Sequence, residues 1–86
     1  MRLVLVEWVD SRRGDGWTRL EDLKDDHAAT KCKSVGWVIA KDSSALTLAG
    51  HIGENPEQCC GDMTIPLRSV IRISDVRATS RRKRSR

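Results

Sequence analysis

The chain has no phenylalanine and no tyrosine, and its aromatic content is three tryptophans, Trp8, Trp17 and Trp37. A core must then be assembled from Val, Ile and Leu, with tryptophans as its largest pieces. β-Branched residues suit a pleated, half-buried surface, so composition leans toward strands. No run of about eighteen apolar residues occurs, which excludes a helix that spans a bilayer. The opening MRLVLVEWVD has an apolar run that ends at Glu7, with no small-residue cleavage site after it, which argues against a signal peptide. Cysteine is scarce and odd in number, at three, which fits a reducing compartment better than a disulfide framework. The expected location is the cytoplasm. Neither a GxGxxG nor a GxxxxGK pattern is present, which excludes the usual nucleotide folds.

Anionic residues are missing altogether from one stretch. The last ten residues, RATSRRKRSR, carry six basic groups: Arg77, Arg81, Arg82, Lys83, Arg84 and Arg86. Without them, residues 1 to 76 hold ten basic against twelve acidic residues, a mildly acidic body. Ala78 is the only apolar residue of the basic stretch, so it has nothing to bury and is expected to be a disordered tail. The 86 residues divide into one small domain, 1 to 76, and that tail, 77 to 86.

Within the body, RLVLVEWVDS is apolar on both alternating faces, as in a strand covered on both sides. SRRGDG ends it. WTRLEDLKDDHAATK reads two ways: a one- or two-turn helix with Thr18 and Glu21 at capping-box spacing, or a long polar loop. VGWVIAK and LTLAGHI form a hairpin around a DSSA turn, with Gly36 marking a bend or bulge. After a GENPEQ loop, DMTIPLRSVIRISDV supplies a fourth strand, a break at Pro66 short enough for one 3₁₀ turn, and a fifth strand. The expected fold is mainly β: a small five-stranded, strongly bent barrel with at most one short helix. Closure would also remove exposed sheet edges.

Candidate sites can be weighed residue by residue. Tetrahedral zinc favours paired ligands such as C-x₂-C, whereas Cys59 and Cys60 are adjacent and point to opposite faces of an extended chain. His27, Cys32 and His51 would have to complete such a set from three separate segments. Neither a metal nor another cofactor is expected, and a bridge between neighbouring cysteines is strained. HIGENPEQCCGDMTIP therefore reads as a turn at a loop-to-strand junction, with one cysteine packed inward and the other near the surface. Gly53, Gly61 and Asp62 would permit an anion nest there, although a plain surface loop is the expectation. No nucleophile, base and orienting group are specified together, and Asp22, Asp25 and Asp26 read as a solvated face, so no enzyme is expected. Trp8 and Trp37 fall in apolar strands and read as core. Trp17 follows Gly-Asp-Gly, where it stacks on a ligand base, anchors a partner or caps an open barrel end.

The hairpin together with the MTIP-LRS-VIRI ending, roughly residues 31 to 76, resembles SH3-like and Sm-like small barrels, the bacterial Hfq branch included. Those proteins share a bent hairpin followed by a strand, a one-turn break and a closing strand. The resemblance implies rings built by edge-strand pairing between neighbours. Hfq-type proteins place a Lys-His pair near the break for RNA, whereas this chain reads Pro66-Leu67, so that site is not carried over. Separately, WVDS (8 to 11), CKSVGW (32 to 37) and CCGDMTIP (59 to 66) are similar to short accessory proteins encoded by bacteriophages.

The function expected from these readings is a non-enzymatic, homo-oligomeric barrel that binds nucleic acid, a nucleotide or another phosphate-bearing ligand. Arg77, Arg81, Arg82, Lys83, Arg84 and Arg86 would neutralise phosphates while Trp17 stacks. The alternative is a phage accessory protein that sequesters a nucleotide signal or inhibits a host protein by direct binding. No membrane partner is expected.

Overall fold

A computed structural model describes residues 1–78. Five strands follow one another along the chain: β1 (Leu3–Asp10), β2 (Thr30–Lys41), β3 (Ala45–Gly53), β4 (Gln58–Pro66) and β5 (Val70–Asp75). One short helix, α1 (Leu20–Asp25), lies between β1 and β2, and a 3₁₀ turn (Leu67–Ser69) separates β4 from β5. All pairings are antiparallel, and the sheet order is β4-β3-β2-β1-β5. The fold is thus mainly β with five strands, as the residue pattern predicts.

The sheet is curled rather than closed. Its buried cluster combines Val4 and Val6 of β1 with Leu46 and Leu48 of β3 and Ile65 of β4. On a flat sheet β1 and β4 lie three spacings apart, about 14 Å, so their side chains share one core only if the sheet folds over it. Trp8, Val38, Leu67, Val70 and Ile73 pack around that cluster. Yet β4 and β5 remain the two edges, with no ladder between them, so the expected closed barrel is an open, strongly bent sheet.

Irregularities in the ladders show where the bending occurs. The register shifts opposite Glu7 and Trp8, where β5 carries Ile71 as an extra residue, and again between Val38 and Ala40. The bulge in β2 therefore falls at Ile39, while Gly36 marks a close approach of β2 to β3: a Cβ there would lie 3.0 Å from the Ala49 carbonyl oxygen. Beyond Trp37↔Ala49 the two strands part company. Residues 30 to 36 of β2 pair only with β1, and Gly50–Gly53 of β3 only with β4.

The β2–β3 turn is held by one carboxylate. Asp42 Oδ1 accepts hydrogen bonds from the Ser44 and Ala45 amides at 2.8 and 2.9 Å and from the Ser44 hydroxyl at 2.9 Å. The Ser44 amide, then the Ala45 amide and the Ser44 hydroxyl, hold the Asp42 carboxyl below its usual value. A depressed carboxyl stabilises the fold above its unfolded-chain pKa, and that contribution is lost as pH falls through the folded value. Acid unfolding of Asp42→Asn should accordingly show a shallower loss of stability below about pH 4 than the parent. Identical pH profiles for the two proteins would contradict this role for the turn.

Between β1 and β2 the chain leaves the body. Every residue from 11 to 30 is exposed. The segment contains the helix reading rather than the loop reading, but its cap differs: Arg19, not Thr18, is the N-cap, and no side chain caps it. Glu21 and Asp22 at the start and Lys24 near the end suit the helix dipole. The base is tied by Arg12, which donates to the Asp26 carbonyl and lies 3.7 Å from its carboxylate.

Candidate ligand-binding surfaces

The basic residues expected to contact phosphate begin at Arg77, which is exposed two residues after β5. Arg81, Arg82, Lys83, Arg84 and Arg86, and the expected disorder of the tail, lie outside the described residues. Trp17 is fully exposed, which removes its expected alternative of capping a barrel end. Arg77 and the segment bearing Trp17 leave the sheet from opposite ends of β1. The Val76 amide donates to the Leu3 carbonyl at the start of β1, whereas the segment bearing Trp17 leaves from Asp10 at its end. The seven residue steps of strand from Leu3 to Asp10 separate the two points by about 23 Å.

Trp8 and Trp37 depart from the core reading in different degrees. Trp8 is half-buried at the edge of the cluster, with its Nε1–H donating to Ser34 Oγ at 3.0 Å. Trp37 stands outside that cluster, on the opposite face. Its register partner there is Ala49, which is buried although it too is absent from the cluster. The double-faced apolar pattern of β1 and β2 is real, but one face is open: Val35 and Ile39 are exposed, and Leu3 and Leu5 half-buried.

The stretch from His51 to Pro66 is a hairpin rather than a loop joined to a strand. Ladder pairs Gly53↔Gln58, Ile52↔Cys59 and His51↔Cys60 carry β4 back to Gln58. Gly50 and Gly61 face one another across it, and Gly61 adopts a positive φ of 69° that favours glycine. Both Cys59 and Cys60 are exposed, which overturns the expectation that one packs inward. β4 is an edge strand at this end, so alternation does not bury either face. Cys32 is half-buried, and all three are free thiols. Among the described residues, no group of three or more His, Cys, Asp or Glu side chains is placed to hold a metal ion.

The His27 ring nitrogen Nδ1 is hydrogen-bonded at 2.8 Å to the Lys24 carbonyl, and the His51 ring lies over Gly61. Neither histidine is hydrogen-bonded to a cysteine or hydroxyl among the described residues. Two adjoining grooves, of about 410 and 300 Å³, run between Met1, Trp37, Ile39 and Ile52 toward Glu54 and Glu57. A third hollow, of about 320 Å³, is formed by Leu20, Leu23, Lys24 and His27 on the exposed segment. The groove lined by Glu54 and Glu57 has no signal in the sequence, because its walls come from β2, the β3–β4 turn and the chain start. No helix among the described residues is long and apolar enough to cross a membrane, which is silent about strands. No protein-family model, no characterised protein and no solved structure matches this chain.

Proposed function

We propose that this protein is a non-enzymatic binding protein for nucleic acid or another phosphate-bearing ligand, acting in the cytoplasm. The observation that carries the reading is the run of six basic groups in the ten residues that follow Val76, on a body of opposite net charge. Arginine forks match phosphate oxygens, and each neutralised phosphate releases a condensed counterion. The bent β2–β3 hairpin, β4, the 3₁₀ turn and β5 support the SH3-like or Sm-like description. Two unpaired sheet edges and the exposed Val35, Ile39 and Ile71 support assembly into homo-oligomers.

Deleting residues 77 to 86 tests the central claim. Affinity for a short RNA or DNA at low salt should fall on the order of 100-fold, and the slope of log K against log salt should flatten by several units. Equal binding by the full-length and shortened chains would refute tail-dependent recognition.

The exposed segment favours a second reading, a phage accessory protein that inhibits a host protein. Trp17 is fully exposed, Leu20 is 73% and Leu23 51% exposed, an unusual concentration of apolar surface on a segment whose every residue is exposed. Trp17→Ala distinguishes the two. Loss of a stacking platform should weaken single-stranded RNA binding by about 1–3 kcal/mol with stability unchanged. Unaltered RNA affinity in a stable variant transfers this segment to the protein-binding reading.

A further inference from the structure

We propose that the groove across Trp37 is a guanidinium site, and that its occupant is this chain's own arginine-rich C-terminal segment. The site is defined by its lining. Trp37, Ile39 and Ile52 supply an apolar floor, while Glu54 and Glu57 bring two carboxylates from the β3–β4 turn. No lysine or arginine lines either part of the groove, and the one cationic group on its lining is the Met1 α-ammonium, which forms no ion pair with Glu54 or Glu57. An apolar aromatic floor beside carboxylates selects a cation with a flat, weakly hydrated face. Guanidinium fits best, because it stacks on indole and donates to a carboxylate in the same plane.

The ion pairing around the groove leaves those carboxylates available. Asp75, the acidic group where the chain leaves β5, is engaged by Arg2, whose Nε and Nη2 donate to its Oδ1 at 3.0 and 2.8 Å. Glu7 is likewise held by Arg72 at 2.7 Å. Among the described residues, Glu54 and Glu57 have no ion-pair partner.

The path of the chain supplies the occupant. Val76 is fixed by its amide hydrogen bond to the Leu3 carbonyl, and Leu3 is the register partner of Trp37. The exit from β5 is thus two strand spacings, about 10 Å, from the strand that carries Trp37. Ten residues follow Val76, six of them cationic and none anionic. Extended, they reach about 33 Å, enough to cross β1 and lie along the groove. A free cationic ligand or a second copy could present the same chemistry. The short distance and the covalent link favour the chain's own segment, because tethering raises its effective concentration to the millimolar range.

Docking would give the tail two competing sites, the groove and a phosphate-bearing ligand. The groove then acts as an internal competitor that weak polyanions fail to displace. This assignment does not rest on nucleic acid being the ligand, since it is read without any ligand present.

Carbodiimide coupling of the full chain at low salt joins a carboxylate directly to an amine in contact with it. Lys83 is the only lysine among residues 77 to 86. The expected products are Lys83–Glu54 and Lys83–Glu57 peptides, formed within one chain in a mixture of isotopically light and heavy protein. They should diminish severalfold at about 0.5 M salt. In the double variant Glu54→Gln/Glu57→Gln, affinity for inorganic polyphosphate should rise severalfold as the tail is freed. The proposal is overturned if Lys83 couples chiefly to the acidic residues of α1, couples only between copies, or does not couple. Unchanged polyphosphate affinity in the double variant likewise overturns the competition.

Discussion

Replacing Leu46 by alanine should cost about 3–5 kcal/mol, a large part of the stability of so small a domain. Leu46 has no exposed surface, and only Val4, Val6, Leu48 and Ile65 complete the buried cluster. Side chains lost from a large core are replaced in part by relaxation of their neighbours. Here the neighbours are held by ladders on either side: Leu46 faces Lys41 in β2 and Ile65 in β4. The cavity should therefore persist, which places the loss in the upper part of the usual range. A chain of this size has a total stability of roughly 4–12 kcal/mol, so the loss is a large fraction of it. Val35→Ala is the control: at 58% exposure it should change stability by less than about 0.5 kcal/mol in the isolated chain. Urea titration reads both. A loss under about 1 kcal/mol for Leu46→Ala would mean that the cluster is not the source of stability.

The elements with a strong local code are those the residue pattern anticipates. Alternation in LVLVEW, the Asp42–Ala45 turn and Pro66 followed by one 3₁₀ turn all emerge where expected. The Asp42 turn is legible because its stabilising bonds lie within three residues of one another. Features that depend on distant pairing were not visible. TKCKS has no apolar alternation, yet it is strand because β1 continues to Asp10 and pairs with Thr30 there. QCCGD becomes strand for the same reason, through its ladder with β3. Its cysteines then end on an open edge, where neither face is covered.

Sites divide along the same line. The basic run is local and therefore legible, while the separation of the two exit points at Leu3 and Asp10 depends on the length of β1 and was not. Trp37 illustrates the limit well. Its apolar neighbours Val35, Val38 and Ile39 suggest a core position, but strand alternation puts it on the face opposite Val38. There Ile52, Glu54 and Glu57, from the end of β3 and the β3–β4 turn, line one groove with it.

Among the glycines, Gly36 should tolerate substitution least. Its φ is not in the left-handed region, so space rather than backbone angle is the constraint. An added Cβ would sit 3.0 Å from Leu48 Cβ and 3.0 Å from the Ala49 carbonyl oxygen. Neither atom can swing aside, since one is backbone and the other is fixed to it. Relief requires separating β2 from β3 at the last pairs before they diverge, which also disturbs the packing of Val38 and Leu48. Gly36→Ala should cost about 1–3 kcal/mol, despite the entropic gain that alanine brings, and Gly36→Val about 3 kcal/mol or more. Trimming Leu48 to alanine offers no rescue, because its Cβ remains. Gly50 provides the contrast: a Cβ added there would meet only the Gly61 carbonyl oxygen, at 3.9 Å. Gly50→Ala should therefore lie within about 0.5 kcal/mol of the parent or slightly above it. Denaturant midpoints that rank Gly50→Ala below Gly36→Ala would show that the close approach of β2 to β3 at Gly36 is not what shapes the sheet.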